Sequence, residues 1–98
     1  MHASIRRYEG LDPGSVDEIV QRAGAGFVPI VSGGAGFVGY YIVDAGNGVL
    51  ATISVFESQA AAEESNKAAA SWVKENLAAL VPNPPQITAG EVRVHKAA

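Results

Sequence analysis

The sequence predicts an α+β fold in the order β-α-β-β-α-β, a four-stranded antiparallel sheet with two helices on one face. Three observations lead there. Residues 34–57, GAGFVGYYIVDAGNGVLATISVFE, read as a hairpin. A stripe of apolar residues at helical spacing precedes that hairpin, and an alanine-rich run without glycine or proline comes after it. Short β-prone segments stand near both ends of the chain.

The hairpin has a rival. Gly34, Gly36 and Gly39 stand at G-x-G-x-x-G spacing, with Glu57 further on, as in a dinucleotide fingerprint. That motif requires a helix opening at the glycines. The residues after Gly39 are Tyr40-Tyr41-Ile42-Val43, aromatic and β-branched, and the breaker Gly46-Asn47-Gly48 arrives in under two helical turns. Two β-prone runs, 37–43 and 49–56, joined by turn residues 44–48, fit better. The glycine motif is therefore expected to bind no nucleotide.

The remaining elements come in chain order. Residues 2–9, HASIRRYE, alternate weakly and suit a first strand. A turn with Asp12-Pro13 comes next, and Ser15-Val16-Asp17-Glu18 has the S-x-x-E pattern of a capping box. Val16, Ile19, Val20, Ala23, Phe27, Ile30 and Val31 then recur at spacings of three and four, which predicts a helix over 15–31. Gly24, Gly26 and Pro29 predict a bend near its end. Ser58 is placed to cap a second helix over 59–81, with Ala62, Asn66, Ala69, Val73, Leu77 and Leu80 along one side. Pro82-Asn83-Pro84-Pro85 stops it, and residues 86–95 make a last strand. This order is the split βαβ, ferredoxin-like pattern.

Composition narrows the function. A chain of 98 residues, 48% apolar, reads as a single domain over residues 1–98 with a moderate core. The net charge of −3 and the absence of a basic cluster speak against nucleic acid. Without cysteine there is no thiolate chemistry or zinc-thiolate site. No signal peptide or membrane span is legible, so a cytoplasmic protein is expected.

Two helices cannot cover both faces of the sheet, and the hairpin strands carry apolar side chains on both. By alternation, Phe37, Tyr41 and Val43 share one face of the first hairpin strand, and Val38, Tyr40 and Ile42 the other. In the second, Val49, Ala51, Ile53 and Val55 make one apolar face, and Leu50 and Phe56 lie opposite with Thr52 and Ser54. The open face is expected to carry Leu50 and Phe56 and to be covered by a second subunit in a homodimer.

The stretches GFVPIVSGGAGFVGYYIVDAGNGVLATISVFES, EESNKAAASWVKENL and ITAGEVRVH cover most of the chain. In them the sequence resembles the antibiotic biosynthesis monooxygenase-like proteins of the dimeric α+β barrel superfamily. The resemblance implies homodimers with facing sheets and a pocket between sheet and helices. Among such proteins are cofactor-independent oxygenases of polycyclic phenols and haem degraders. The resemblance therefore implies either a small cofactor-independent monooxygenase acting on an aromatic or quinone-like molecule, or a non-catalytic dimeric binding module. No cofactor and no metal are expected. The haem degraders place a histidine near the end of the second helix, and this chain has none between Ala3 and Val94.

The candidate catalytic residues are Asn66, to orient a substrate oxygen, and Trp72, to wall a flat ligand. The same residue types serve the phenol oxygenases, although here they stand six apart. Tyr40, Tyr41 and Phe27 are the candidate substrate contacts. Tyr40 and Tyr41 alternate, so one is expected to face the helices and the other the partner. Arg6 and Arg7 alternate likewise, and one is expected at the interface. His2 and His95 are expected at opposite ends of the sheet, a poor metal pair. Asp17, Glu18, Glu63 and Glu64 read as solvated acids in the first turns of helices.

Overall fold

A computed structural model describes residues 1–98. Strand β1 (His2–Tyr8) leads through a 3-10 turn, Pro13–Ser15, into helix α1 (Val16–Arg22). A π-helical turn, Ala23–Phe27, joins α1 to helix α2 (Val28–Ser32), and the three run on as one bent helix. Strands β2 (Phe37–Gly46) and β3 (Val49–Phe56) form the hairpin, helix α3 (Gln59–Asn76) comes next, and β4 (Gln86–Glu91) is the last element. The sheet order is β2-β3-β1-β4 with every neighbour antiparallel. This is the predicted fold, and the hairpin excludes a helix at the glycine motif.

The hairpin closes through Asn47 and Gly48, both at positive φ, which suits the right-handed twist of the flanking strands. Gly48 is further constrained from outside. A Cβ there would collide with the Leu11 carbonyl oxygen, and the Leu11 amide donates to the Gly48 carbonyl at 3.1 Å. The turn thereby fastens the β1–α1 connection to the hairpin tip.

Two ends differ from expectation. Ser15 makes no capping hydrogen bond. The 3-10 turn already carries the chain into the helix, and Asp12 does the capping: its carboxylate accepts from the Gly14 amide at 3.0 Å and its carbonyl from the Ser15 amide at 2.8 Å. Helix α3 stops at Asn76 rather than near residue 81. There the Asn76 side chain donates to the Trp72 carbonyl at 2.9 Å, and the Asn76 carbonyl accepts from Arg22 Nη1 at 3.2 Å. Local side-chain bonding of this kind competes with the helix ladder. Leu77 turns into the core, and residues 78–81 pass over it as a turn. At the N-terminus of α3, Ser58 caps as expected, accepting from the Ala61 amide at 3.1 Å.

The faces of the sheet are the main correction. Leu50 and Phe56 are 3% and 2% exposed and pack under the helices, with Ser4, Arg6 and Tyr8 of β1 on the same side. The open face carries Val49, Ala51, Ile53 and Val55, together with Ile5 of β1 and Tyr41 and Val43 of β2. A bulge between Phe37 and Gly39 shifts the alternation in β2. It turns Phe37 to the helix side, where its ring meets that of Phe56 edge-on at 5.8 Å, and leaves Val38 outward. The histidine reading is also corrected. His2 pairs with Glu91, so the end of β4, and with it the segment leading to His95, lies at the same end of the sheet as His2.

The core has two parts. Tyr8, Leu11, Val16, Ile19, Leu50 and Leu77 form one; Phe27, Val31, Phe56, Ala62 and Ala69 form the other. Trp72 packs against both. No helix is long and apolar enough to cross a membrane.

Candidate functional site

The site lies where the two parts of the core meet. Its upper wall begins at the π-helical turn. Pro29 has no amide to donate one turn back, so the α-helical ladder is already broken there. Ala23-Gly24-Ala25-Gly26 offers little side-chain packing to hold the tighter winding. The chain widens by one residue, and the Val28 amide reaches the Ala23 carbonyl five positions back. The turn sets Phe27 inward and Gly26 over α3. A Cβ on Gly26 would stand 2.8 Å from the Trp72 ring, so only glycine lets the indole lie against the backbone here. Phe27 then contacts both Trp72 and Tyr40, with ring centroids 5.7 Å apart in each pair. Such pairs are each worth roughly 0.5–1.5 kcal/mol beyond burial.

Beneath these three rings is a cavity of about 50 Å3 between sheet and helices. Its walls are apolar or aromatic except at Arg6 and Thr52. Tyr40 and Thr52 rise from β2 and β3, Arg6 and Tyr8 from β1, Trp72 from α3. Burial pushes the Tyr40 hydroxyl up to about 12; the adjacent Thr52 hydroxyl and the Arg6 guanidinium pull the other way and are outweighed. Tyr40 therefore stays a protonated hydrogen-bond donor across the neutral range.

Arg6 is 5% exposed. Its Nε donates to the Tyr8 hydroxyl at 3.1 Å, and the guanidinium carbon lies 5.8 Å from the Tyr8 ring centroid. Its Nη1 donates to both the side-chain and main-chain oxygens of Asn66, each at 3.4 Å. The Asn66 side-chain oxygen also accepts from the Ser4 hydroxyl at 2.9 Å, and Ser4 is fully buried. A polar island of Ser4, Arg6, Tyr8 and Asn66 thus sits under the helices.

A second cavity, of about 200 Å3, lies between α2 and the first half of α3. Ala61 and Ala68 form part of its wall, so the small side chains of α3 leave space there. Phe27 lines both cavities and separates them.

Of the candidates named from sequence, the structure brings Phe27, Tyr40 and Trp72 together on one wall. Asn66 is not on the wall; it stands behind Arg6 and holds it. Tyr41 lies on the open face, 61% exposed, away from the cavity, and Arg7 is on that face with it, ion-paired to Glu9 at 2.7 Å. Sequence reasoning passed over Arg6, Tyr8 and Thr52 as site residues. A signal existed: alternation sets Ser4, Arg6 and Tyr8 on one face of β1, so one side of a central strand had to be polar.

Fold and site together define a ferredoxin-like α+β domain with an open apolar sheet face and an aromatic-walled cavity under its helices. That is the fold of the antibiotic biosynthesis monooxygenase-like proteins. A protein of unknown function from Nitrosomonas europaea superposes with a TM-score of 0.80 at 19% identity, covering 99% of this chain and 93% of the other. The monooxygenase ActVA-Orf6 of Streptomyces coelicolor, in complex with nanaomycin D, gives 0.78 at 17% identity, covering 99% and 91%. The heme-degrader MhuD of Mycobacterium tuberculosis, with two hemes bound in its active site, gives 0.73 at 20% identity, covering 99% and 100%. No family model and no curated protein matches the sequence.

Proposed function

We propose that the protein is a small cofactor-independent monooxygenase-like enzyme acting on an aromatic or quinone-like molecule held between sheet and helices. The observation that carries this reading is the wall of Phe27, Tyr40 and Trp72, with Phe27 in contact with both other rings, over a cavity with few polar groups. Aromatic walls with a few placed polar atoms suit flat, weakly polar ligands. The solved structure with nanaomycin D has the same fold and supports a quinone-like ligand. Phe27 stacks the ring, Trp72 walls the inner end of the site, and Tyr40 donates to a substrate oxygen held there. In such an oxidation a benzylic or phenolic ring carbon loses hydrogen to O2, one oxygen atom enters as a carbonyl, and the other leaves as water.

The haem-degrading reading has less support, because neither cavity carries a histidine. A non-catalytic binding role is the second reading. The inner cavity favours it, since about 50 Å3 holds waters but no ring, whereas a dry cavity of about 150 Å3 is known to hold benzene. A substrate ring would have to use the larger space beyond Phe27.

The assembly belongs to the same proposal. Two copies packed through their open faces would bury Ile5, Tyr41, Val43, Ile53 and Val55, which no segment of the chain covers. One self-complementary patch closes a twofold dimer.

Anthrone with 18O2 tests the activity. The reading requires protein-dependent 18O in the anthraquinone product, above the rate of air oxidation, and a large loss in Trp72→Ala. Saturable binding of anthraquinone without any turnover would instead establish the binding module.

A further inference from the structure

We propose that Arg6 recognises an anionic oxygen on the ligand, so that the cavity selects flat aromatic acids or enolates over their neutral counterparts. This rests on the proposed function, in which the cavity receives an aromatic ligand. It adds the charge of that ligand and the residue that reads it.

Four observations carry it. Arg6 is nearly sealed from bulk solvent, yet no carboxylate pairs with it; the ion pairs of the chain are Arg7–Glu9, Arg22–Glu18 and Lys67–Glu64. No acidic residue lines its cavity. A guanidinium has five N–H donors and stays charged in proteins, and the protein engages only Nε and Nη1 here. Nη2 makes no hydrogen bond to protein, and because no sealed side-chain nitrogen lacks a partner it keeps accessible surface, on a residue that lines the cavity.

The neighbours of Arg6 hold it without neutralising it. Tyr8 and Asn66 offer neutral oxygens that fix the plane of the fork, and Ser4 fixes Asn66 in turn. A desolvated charge without a counter-charge is unfavourable for stability. A ligand oxyanion arriving in apolar surroundings gains more from that charge than it would in water. The inner cavity has room for a carboxylate or enolate oxygen rather than a ring. The anionic head would therefore sit at Arg6, beside the Tyr40 and Thr52 hydroxyls, and the ring would extend past Phe27.

Titration calorimetry with 2-naphthoate and its neutral isostere 2-naphthamide tests the inference. The wild-type protein should prefer the naphthoate by roughly ten- to a hundredfold, the span of a hydrogen bond to a charged group. The arginine Nε–H resonance of Arg6 should shift on adding naphthoate. In Arg6→Met the preference should vanish while the melting temperature holds or rises, because an unpaired buried charge has been replaced by an apolar chain of similar length. Equal affinity for both probes in the wild type overturns the role of Arg6 and leaves the aromatic-pocket reading standing. Binding of neither probe overturns both. A fall of several degrees in Arg6→Met with the naphthoate preference intact would make Arg6 a structural cation and overturn the inference as well.

Discussion

The two faces of the sheet are arranged against simple expectation. The face under the helices, the better-covered one, carries Ser4, Arg6, Thr52, Ser54 and Tyr40 near its centre. The face left open carries Ile5, Val43, Val49, Ala51, Ile53 and Val55 through its middle, with Arg7, Tyr41 and, from β4, Gln86 and Thr88 around them. A protein selected for stability alone as a single chain would reverse them. Buried polar groups destabilise unless partners are supplied; here Asn66, far along the chain, supplies Ser4 and one arm of Arg6, and Tyr8 supplies another. The difference teaches where each face finds its partner. The covered face encloses a small site whose polar groups need shelter from water. The open face is apolar because its natural covering is expected to come from outside the chain.

Breaking the open face should have the largest effect. Ile53→Glu puts a charge in the middle of the apolar patch, opposite Ile5 and Tyr41. Sedimentation velocity at low micromolar concentration should show a dimer for the wild type, and for the variant a species of the single-chain mass, 10.1 kDa, or an unfolded chain. A folded wild-type monomer would sink the proposed assembly. Thr52, which sits under the helices, tests the cavity rather than this contact.

Phe56→Ala attacks the covered face at its most buried apolar point. Urea unfolding should show a loss of about 3–5 kcal/mol, the usual range for a core phenylalanine. Asn66→Leu comes next. It removes the acceptor of the fully buried Ser4 hydroxyl and of Arg6, which should lower stability by about 1–3 kcal/mol and loosen the guanidinium. Unchanged stability with unchanged ligand affinity would mean that the polar island has no structural role.

The smallest effect concerns Tyr40. Its hydroxyl titrates near 12 in the folded protein and near 10 when unfolded. The folded state thus holds its proton more tightly. That contribution is fully present below pH 10 and is lost as pH rises towards 12. Tyr40→Phe should flatten the stability profile between pH 10 and 12. Urea midpoints measured across that range decide the matter.

Much of the fold was legible because its signals are local. The hairpin is written in Asn47-Gly48 and in the β-branched runs beside it, and the bend of the first helix in Gly24, Gly26 and Pro29. Phe27 could be named because it lies on the apolar stripe of the first helix; Trp72, off the stripe of the second, was a candidate for its flat ring alone. The role of Asn66 was less legible: its place on the α3 stripe showed that it turns inward, but not that Ser4 and Arg6 would occupy it. Which of Tyr40 and Tyr41 turns to the helices was not legible, because alternation separates two faces without saying which one the helices will cover.

By itself, the sequence determined the element types, their order and the split βαβ topology. Hydrophobic period, caps and turn residues act within a few positions of one another, so one chain in hand suffices to read them. Only the tertiary structure decided which face of the sheet is enclosed, because that depends on the bulge at Val38 and on how the helices dock. It alone placed Arg6, Tyr8 and Thr52 in one cavity with Phe27, Tyr40 and Trp72. Those residues are far apart along the chain, and no local interaction records that they meet.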